Sequence, residues 1–395
     1  MDRLLAWQDT LAHQSDMDMR YPAKGNIDAS PLSVAAGTKA LRVKIGDVLE
    51  QDSGELNITA SRDGAGLPPL DPQLLLFAEN AGNGPAIRKA TYDGSPVLVE
   101  WKSISHQTKI ISIQRAKNLA ILLKEPKHPS FRSLHCKGII EYSDTSQLAF
   151  VFYHPYAENN PQQPISLREL FRQPAPSATA RLRLAREVSR TLKLFHTAGW
   201  LHKNIRSENI IFFPQTPATR GLDVAHLKLS SSLVGDLISN PFLAGFTFSR
   251  LDSATEISEQ PSEEPESDIY RHPDALGDPS TRFSKSKDIY ALGTVLLEIA
   301  EWRSLISIVS SVVNVRQDDL PLTQIAEVRP FLLDESRGGT SKLKAMMGDI
   351  YGRAVMFCLH GAIVESETVL SGLQFLGSGP DLMEIVIREL DMCVI

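Results

Sequence analysis

The chain has 395 residues, a net charge of −6 and 42% hydrophobic residues, which is ordinary for a globular protein. The acidic balance argues against general nucleic-acid binding, which favours a basic face. Its three cysteines are widely separated and match no metal-site spacing, which favours a reducing compartment. No stretch approaches 18 apolar residues and the N-terminus lacks a signal-peptide core, so we expect a cytoplasmic protein without a transmembrane segment.

Residues 1–75 are predicted to be an N-terminal extension. Leu4, Leu5, Trp7 and Leu11 recur as in a short amphipathic helix over residues 1–12, and a second helical segment is expected from about Val34 to Gln51. A Gly- and Pro-rich linker follows at 61–69. Such a segment is either the remnant of a helical bundle or partly disordered, since it is too short to bury much core.

A β-hairpin is predicted next. The segments 89–92 and 96–102 flank Asp93-Gly94, a dipeptide typical of a two-residue hairpin turn. A helix is expected over Ile110–Leu123, and a buried strand over Leu148–Tyr153.

A core helix and a polar loop come next in the chain. Leu184, Val188, Leu192 and Phe195 recur at helical spacing, which predicts a helix with one buried face. The loop Leu201–Asn209 then leads into the apolar run Ile210–Phe213.

The region between Arg250 and Arg271 contains seven acids and neither Lys nor Arg. Such a run is typical of a solvated loop, and the alternatives are a binding segment or a phosphorylation target. Ile269–Asp274 follows, and Asp288–Gly293 then opens a strongly apolar segment.

These motifs resemble the landmarks of protein kinases. His202 and Asn209 match the ends of the catalytic-loop pattern His-Arg-Asp-x-x-x-x-Asn. Tyr270–Asp274 resembles the Tyr-Arg-Ala-Pro-Glu that closes an activation segment, and Asp288–Gly293 resembles the start of the central helix of the large lobe. The resemblance implies an α+β, bilobal protein kinase-like fold, with a small β-rich N-lobe at 80–155 and a larger helical C-lobe at 156–395.

One kinase-like family is especially similar. Trp101-Lys102, Leu201–Phe213, Gly245-Phe246 with Ser249-Arg250, and Tyr270–Asp274 together resemble kinase-like proteins of filamentous fungi, many of which carry a HeLo (prion-inhibition and propagation) domain. The resemblance covers roughly 80 to 390. It implies intracellular signalling with a protein partner, as in self/non-self recognition or regulated cell death.

The catalytic aspartate of the kinase pattern is replaced. Asn204 stands in its place, and an amide cannot accept the proton of a substrate hydroxyl at neutral pH. Arg206 replaces the usual catalytic-loop lysine and can still hold a phosphate. Asn209 is a weak candidate metal ligand, because one neutral oxygen is a poor site for magnesium. Its alternative role is to bond the loop backbone.

The strand that should contact ATP is ambiguous. Lys102 can be aligned with the phosphate-binding strand lysine, which places Glu100 at the small residue beside adenine. In a second alignment Glu100 itself takes the place of the lysine. A third interpretation is a solvent-exposed Glu100–Lys102 face. ATP is therefore a candidate ligand, with Lys102, Glu100 and Asn209 as the candidate binding residues.

Other parts of the phosphate and magnesium site are missing. Gly245 stands where the metal-binding Asp of Asp-Phe-Gly is expected, although Phe246 keeps the aromatic position. The helix 111–120 contains no acid to pair with Lys102, and Gly82–Pro85 fits an ordinary turn better than a phosphate loop. These changes argue against magnesium.

Four residues are expected to be structural. His202 is predicted to pack within the loop, Phe246 to pack as the aromatic of its motif, Asp274 to make an ion pair, and Asp288 to brace the loop backbone.

The sequence as a whole predicts a catalytically deficient pseudokinase acting as a binding or signalling module. The alternatives are an atypical Ser/Thr kinase that uses displaced acids, and a HeLo-linked regulator of fungal recognition or cell death.

Overall fold

A computed structural model gives the conformation of most of the chain and shows a mixed α+β protein. It describes residues 34, 36–43, 67, 70–77, 87–104, 109–125, 127–157, 161–215, 228–252, 265–276, 282–313, 322–360 and 381–394. The expected helix at 34–51 is helical at 34 and over 36–43. The expected helix at 1–12, nearly all of the 61–69 linker, the turn Gly82–Pro85 and most of the acidic run lie outside the described residues.

The chain divides into two compact units. The first runs to Pro164 and adds Thr197–Gly199 and Phe242–Thr247, and the second contains the remainder.

The first unit is built on a five-stranded antiparallel sheet in the order β1-β2-β3-β5-β4. Its strands are β1 Leu75–Leu76, β2 Ile87–Tyr92, β3 Ser95–Ser103, β4 Cys136–Tyr142 and β5 Gln147–Tyr153. Helix α1, Lys109–Lys124, packs against β4. One face of the sheet carries an apolar cluster that includes Val97, Val99 and Val151, each no more than 1% exposed.

The predicted hairpin is confirmed. Tyr92 pairs with Ser95 across a two-residue turn in which Asp93 and Gly94 have φ values of 48° and 70°. Positive φ at both turn positions is the geometry that matches the twist of the flanking strands, and Asp-Gly adopts it readily. The helix and strand expected after the hairpin are confirmed as α1 and β5.

The second unit is mainly helical. Its helices are α2 Leu167–Leu170, α3 Ala178–Thr197, α4 Ser231–Leu237, α5 Pro265–Asp268, α6 Lys285–Glu301, α7 Leu305–Val309, α8 Leu322–Leu333, α9 Leu343–His360 and α10 Leu382–Met392. The short strands are β6 Ile165–Ser166, β7 Trp200–Leu201, β8 Ile210–Phe212, β9 Phe242–Leu243 and β10 Arg250–Leu251, of which β9 belongs to the first unit. Strand β6 pairs with β8 and β7 pairs with β10, both antiparallel.

Helix α6 is the core of the second unit. Every residue from Lys287 to Glu301 is buried, as expected for a helix that is apolar on nearly all sides. Helix α9 packs closely against it, and the Tyr351 hydroxyl donates to the Leu296 carbonyl at 2.8 Å. A Cβ atom at Gly293 would lie only 2.6 Å from Cβ of Cys358, so the close approach of α6 and α9 requires glycine there.

We predict that Gly293→Ala lowers the free energy of unfolding by about 1–3 kcal/mol, because the added methyl overpacks this contact. Gly235→Ala is the control, since its new Cβ would meet Ala180 at an ordinary 3.5 Å. Urea unfolding of both variants measures the difference. Equal stability of the two variants would contradict the packing argument.

Candidate functional site

The first candidate site lies in the first unit, at the end of β3. Glu100 and Lys102 are only 3% and 6% exposed, so the interpretation of a solvent-exposed face is wrong. Strands β2 and β5 flank β3, and both side chains reach the segment Gly245–Thr247.

Glu100 accepts hydrogen bonds from two backbone N–H groups. Its Oε2 lies 3.1 Å from the Gly245 nitrogen, and its Oε1 lies 3.2 Å from the Thr247 nitrogen. Lys102 Nζ donates to the carbonyl of Thr247 at 2.7 Å. Gly245 has φ +81°, a conformation that favours glycine. Glu100 and Lys102 therefore place a carboxylate and an ammonium group in hydrogen bonds with the same short stretch of backbone, Gly245–Thr247.

The segment is fixed by a second set of contacts. The Leu243 N–H donates to the Arg132 carbonyl at 2.7 Å, and Leu243 forms a parallel bridge with Ser133. Phe246 is 2% exposed, so its side chain is packed inside the protein. Paired backbone N–H groups of this kind attract anions. Here Glu100 of the chain itself supplies the anion.

The second candidate site is the loop after β7, in the second unit. The carboxylate of Asp288 accepts the backbone N–H groups of His202 and Lys203, each at 2.8 Å, and lies 3.1 Å from Nε2 of His196. Lys203 has φ 65°, which turns the chain so that consecutive N–H groups reach one carboxylate. Asp288 therefore braces the backbone of this loop.

Bonds within the loop continue from this brace. The Asn204 N–H donates to Nδ1 of the fully buried His202 at 3.3 Å, and Asn209 Nδ2 donates to the Asn204 carbonyl at 2.8 Å. Ser249 Oγ donates to the His202 carbonyl at 2.9 Å. His202 and Asn209 therefore form hydrogen bonds with the backbone within this loop.

Arg206 and Asp274 belong to the same unit. Arg206 Nη1 donates to Ser267 Oγ. Arg206 lines a cleft together with Lys203 and Arg271. The carboxylate of Asp274 is 59% exposed and lies 3.6 Å from Nδ1 of His272. Burial lowers the pKa of His272, which favours the neutral imidazole, so the expected ion pair of Asp274 is weak.

Sequence reasoning missed a buried carboxyl group at Glu298. Its Oε1 accepts from the Tyr270 hydroxyl at 2.7 Å, from Ser207 Oγ at 3.1 Å and from the Leu305 N–H at 2.6 Å. Burial, followed by the charge of Glu208, raises the pKa of Glu298 to about 8. The sequence did offer one signal for this buried group, since Glu298 is a single acid within the apolar stretch of α6.

No known protein-family profile matches the chain, and no curated protein matches it.

Within the described part of the chain, no group of three or more His, Cys, Asp or Glu side chains is placed to hold a metal ion. The helices of that part include none that is long and apolar enough to cross a membrane.

We predict that Glu298 makes stability depend on pH. Its folded pKa of about 8 lies above the usual value of 4.5 for a glutamate, so the folded state binds the proton more tightly. The resulting stabilisation is complete below pH ~4.5 and is lost as pH rises toward ~8 and above, on the order of a few kcal/mol. Urea unfolding at pH 5 to 9 measures it.

Glu298→Gln is the matched variant, because it imitates the protonated acid and cannot titrate. The difference in unfolding free energy between wild type and variant should change steadily across this pH range in favour of the variant. A difference that stays constant with pH would show that Glu298 does not titrate there.

We also predict that Glu100→Gln lowers the unfolding free energy by about 1–3 kcal/mol, since both hydrogen bonds lose their charge assistance. Glu141→Gln on β4 of the same sheet is the control. It removes an equal charge from a side chain that is 38% exposed and pairs with Lys109, and it should lower the unfolding free energy by less than about 1 kcal/mol. Melting curves of the two variants measure these losses of stability. A loss for Glu100→Gln that is no larger than the loss for Glu141→Gln would contradict a structural role for the buried carboxylate.

Proposed function

We propose that the chain is a catalytically deficient protein-kinase-like protein that works as a binding or signalling module. The observation that carries this proposal is the bonding of Glu100 and Lys102 to Gly245–Thr247. By resemblance, these are the segments that would bind phosphates and magnesium in a kinase. In this chain, the two segments form hydrogen bonds with each other instead.

Releasing these groups for a nucleotide would be unfavourable. Each charge-assisted hydrogen bond contributes about 1.5–3 kcal/mol, and Glu100 and Lys102 make three of them with this segment. Glu100 and Lys102 are also nearly inaccessible to solvent. A ligand would have to replace this network before gaining any affinity of its own.

Asn204 adds a chemical obstacle. Its amide cannot act as a general base, and the loss of a general base costs about 10²- to 10⁴-fold in rate. Gly245 offers no carboxylate for a metal. Because typical kinases turn over about 1–100 times per second, the combined losses leave no useful rate.

A second candidate function is an atypical Ser/Thr kinase, and one contact favours it. The carboxylate of Glu100 lies beside Gly245, the position where the resemblance expects a metal-binding acid. A displaced acid of this kind would let Glu100 serve as a magnesium ligand.

Phosphotransfer from γ-labelled ATP to a general acceptor protein, with magnesium or manganese, separates these functions. We expect no incorporation above that of a Lys102→Met variant. Magnesium-dependent transfer that disappears in both Lys102→Met and Glu100→Gln would overturn the proposal in favour of the atypical kinase.

We further expect that Asn204→Asp does not create phosphotransfer. The substitution restores a base while Gly245 and the Glu100 contacts remain unchanged, so only one of several missing parts returns. The same labelling assay tests it. Transfer that appears with this single change would show that the rest of the site is competent.

A further inference from the structure

One half of strand β2, in the first unit, has an edge that no strand of the described residues covers. Strand β1 pairs only with Thr91 and Tyr92 at the end of β2, whereas Ile87–Ala90 extend beyond it. Backbone groups alternate between the two sides of an antiparallel strand, so the side that faces β1 at Thr91 also presents the groups of Ile87 and Lys89. Edge groups that lack a strand partner attract other extended chains.

A glutamine side chain occupies the place of a neighbouring strand at this edge. Gln163 Nε2 donates to the Ile87 carbonyl at 3.0 Å, and the Lys89 N–H donates to Gln163 Oε1 at 2.9 Å. A primary amide offers a carbonyl acceptor and N–H donors, as the peptide groups of a neighbouring strand do. Gln163 therefore satisfies the two backbone groups with which β2 would bind an added strand.

The backbone beside Gln163 is held by a different contact. The Tyr156 N–H donates to Nδ1 of the buried His154 at 3.1 Å, and His154 Nε2 lies 2.9 Å from the Gln162 carbonyl. Since Nδ1 accepts, the ring proton is on Nε2, which donates to Gln162. Burial lowers the pKa of His154 to about 4, so this neutral ring persists at neutral pH. The exposed side chain of Gln163 can rotate away from β2 while this anchor stays in place.

The side chains at this edge are cationic. Arg88 and Lys89 point to opposite faces of the sheet, because successive residues of a strand alternate. Lys89 Nζ donates to the Pro161 carbonyl at 2.9 Å, and neither cation forms an ion pair with an acid among the described residues. A second copy of the chain, paired edge to edge, would bring like charges together, which is unfavourable. An extended segment with acidic side chains would instead meet a cation on each face.

We propose that the β2 edge at Ile87–Lys89 is a docking site for an extended acidic segment of a protein partner, which adds a strand to the sheet in place of Gln163. Backbone hydrogen bonds would supply part of the affinity, and Arg88 and Lys89 would select acidic side chains. Binding at this edge requires no nucleotide, metal or phosphotransfer. The docking site therefore does not depend on the kinase-like function.

Calorimetric titration of the full chain with three capped heptapeptides tests this at constant ionic strength. The first is Thr-Val-Glu-Glu-Val-Thr-Thr, in which β-branched residues favour an extended chain. The second has lysine in place of both glutamates. The third is the acidic peptide with N-methylated valines, which cannot donate those backbone hydrogen bonds. We expect saturable binding of the first peptide and binding of the other two that is weaker by about tenfold or more.

Two substitutions should change the affinity for the acidic peptide in opposite directions. Gln163→Ala removes the competing amide and its two hydrogen bonds to β2, so it should tighten binding by about tenfold. Arg88→Gln removes a charge at the edge and should weaken binding by about threefold or more. Gln73→Ala and Lys117→Gln are matched controls, since both alter exposed side chains of the same unit, and they should stay within about twofold.

A melting curve for each variant shows that it is folded, and Gln163→Asn, whose shorter side chain cannot reach both groups, gives a second test if Gln163→Ala is unstable. The proposal is overturned if the acidic peptide binds neither wild type nor Gln163→Ala. It is also overturned if the lysine or N-methylated peptide binds equally well, or if Gln163→Ala binds no more tightly than wild type. Sedimentation showing that Gln163→Ala dimerises without binding the peptide would identify a second copy as the occupant and would equally overturn it.

Discussion

The buried carboxylate of Asp288 fixes the loop on which the second unit's candidate chemistry depends. It accepts two consecutive backbone N–H groups and lies beside His196, all at 3.1 Å or less. His202 then orients Asn204, and Asn209 closes the loop from the other side. Because such a carboxylate is desolvated, each of these donors is needed to offset the cost of burying the charge. The loop is consequently held in one shape, whether or not it performs chemistry.

In the kinase-like function that we propose, the residues that brace the loop are present and the reactive carboxylates are missing. Asp288, His202 and Asn209 make backbone contacts, whereas Asn204 and Gly245 lack the carboxylates that phosphotransfer would use. In the first unit, Glu100 and Lys102 bond the Gly245–Thr247 backbone. We propose that such a chain, with bracing contacts and without the reactive carboxylates of a kinase, suits recognition better than turnover.

Local patterns allowed much of the fold to be predicted. The Asp93-Gly94 turn, helix α1 and the buried face of α3 follow from short-range spacing and propensity, and each is confirmed. The burial of Glu100 was not predictable, because its partners Gly245 and Thr247 are 145 and 147 residues away in sequence. The same reason applies to Glu298, which meets its partner Tyr270 only through tertiary packing.

We propose that the chain's own side chains occupy the positions that would bind phosphate and metal in a kinase. This central claim is tested most directly by the melting temperature with ATP, with and without magnesium. Wild type and Arg206→Gln are compared, so that any contribution of Arg206, which could hold a phosphate, is removed. A ligand that binds only the folded state at a hundredfold excess over its dissociation constant adds about 2.7 kcal/mol of stability. We predict that magnesium adds no stabilisation in either protein. An increase that requires magnesium and persists in Arg206→Gln would contradict the account.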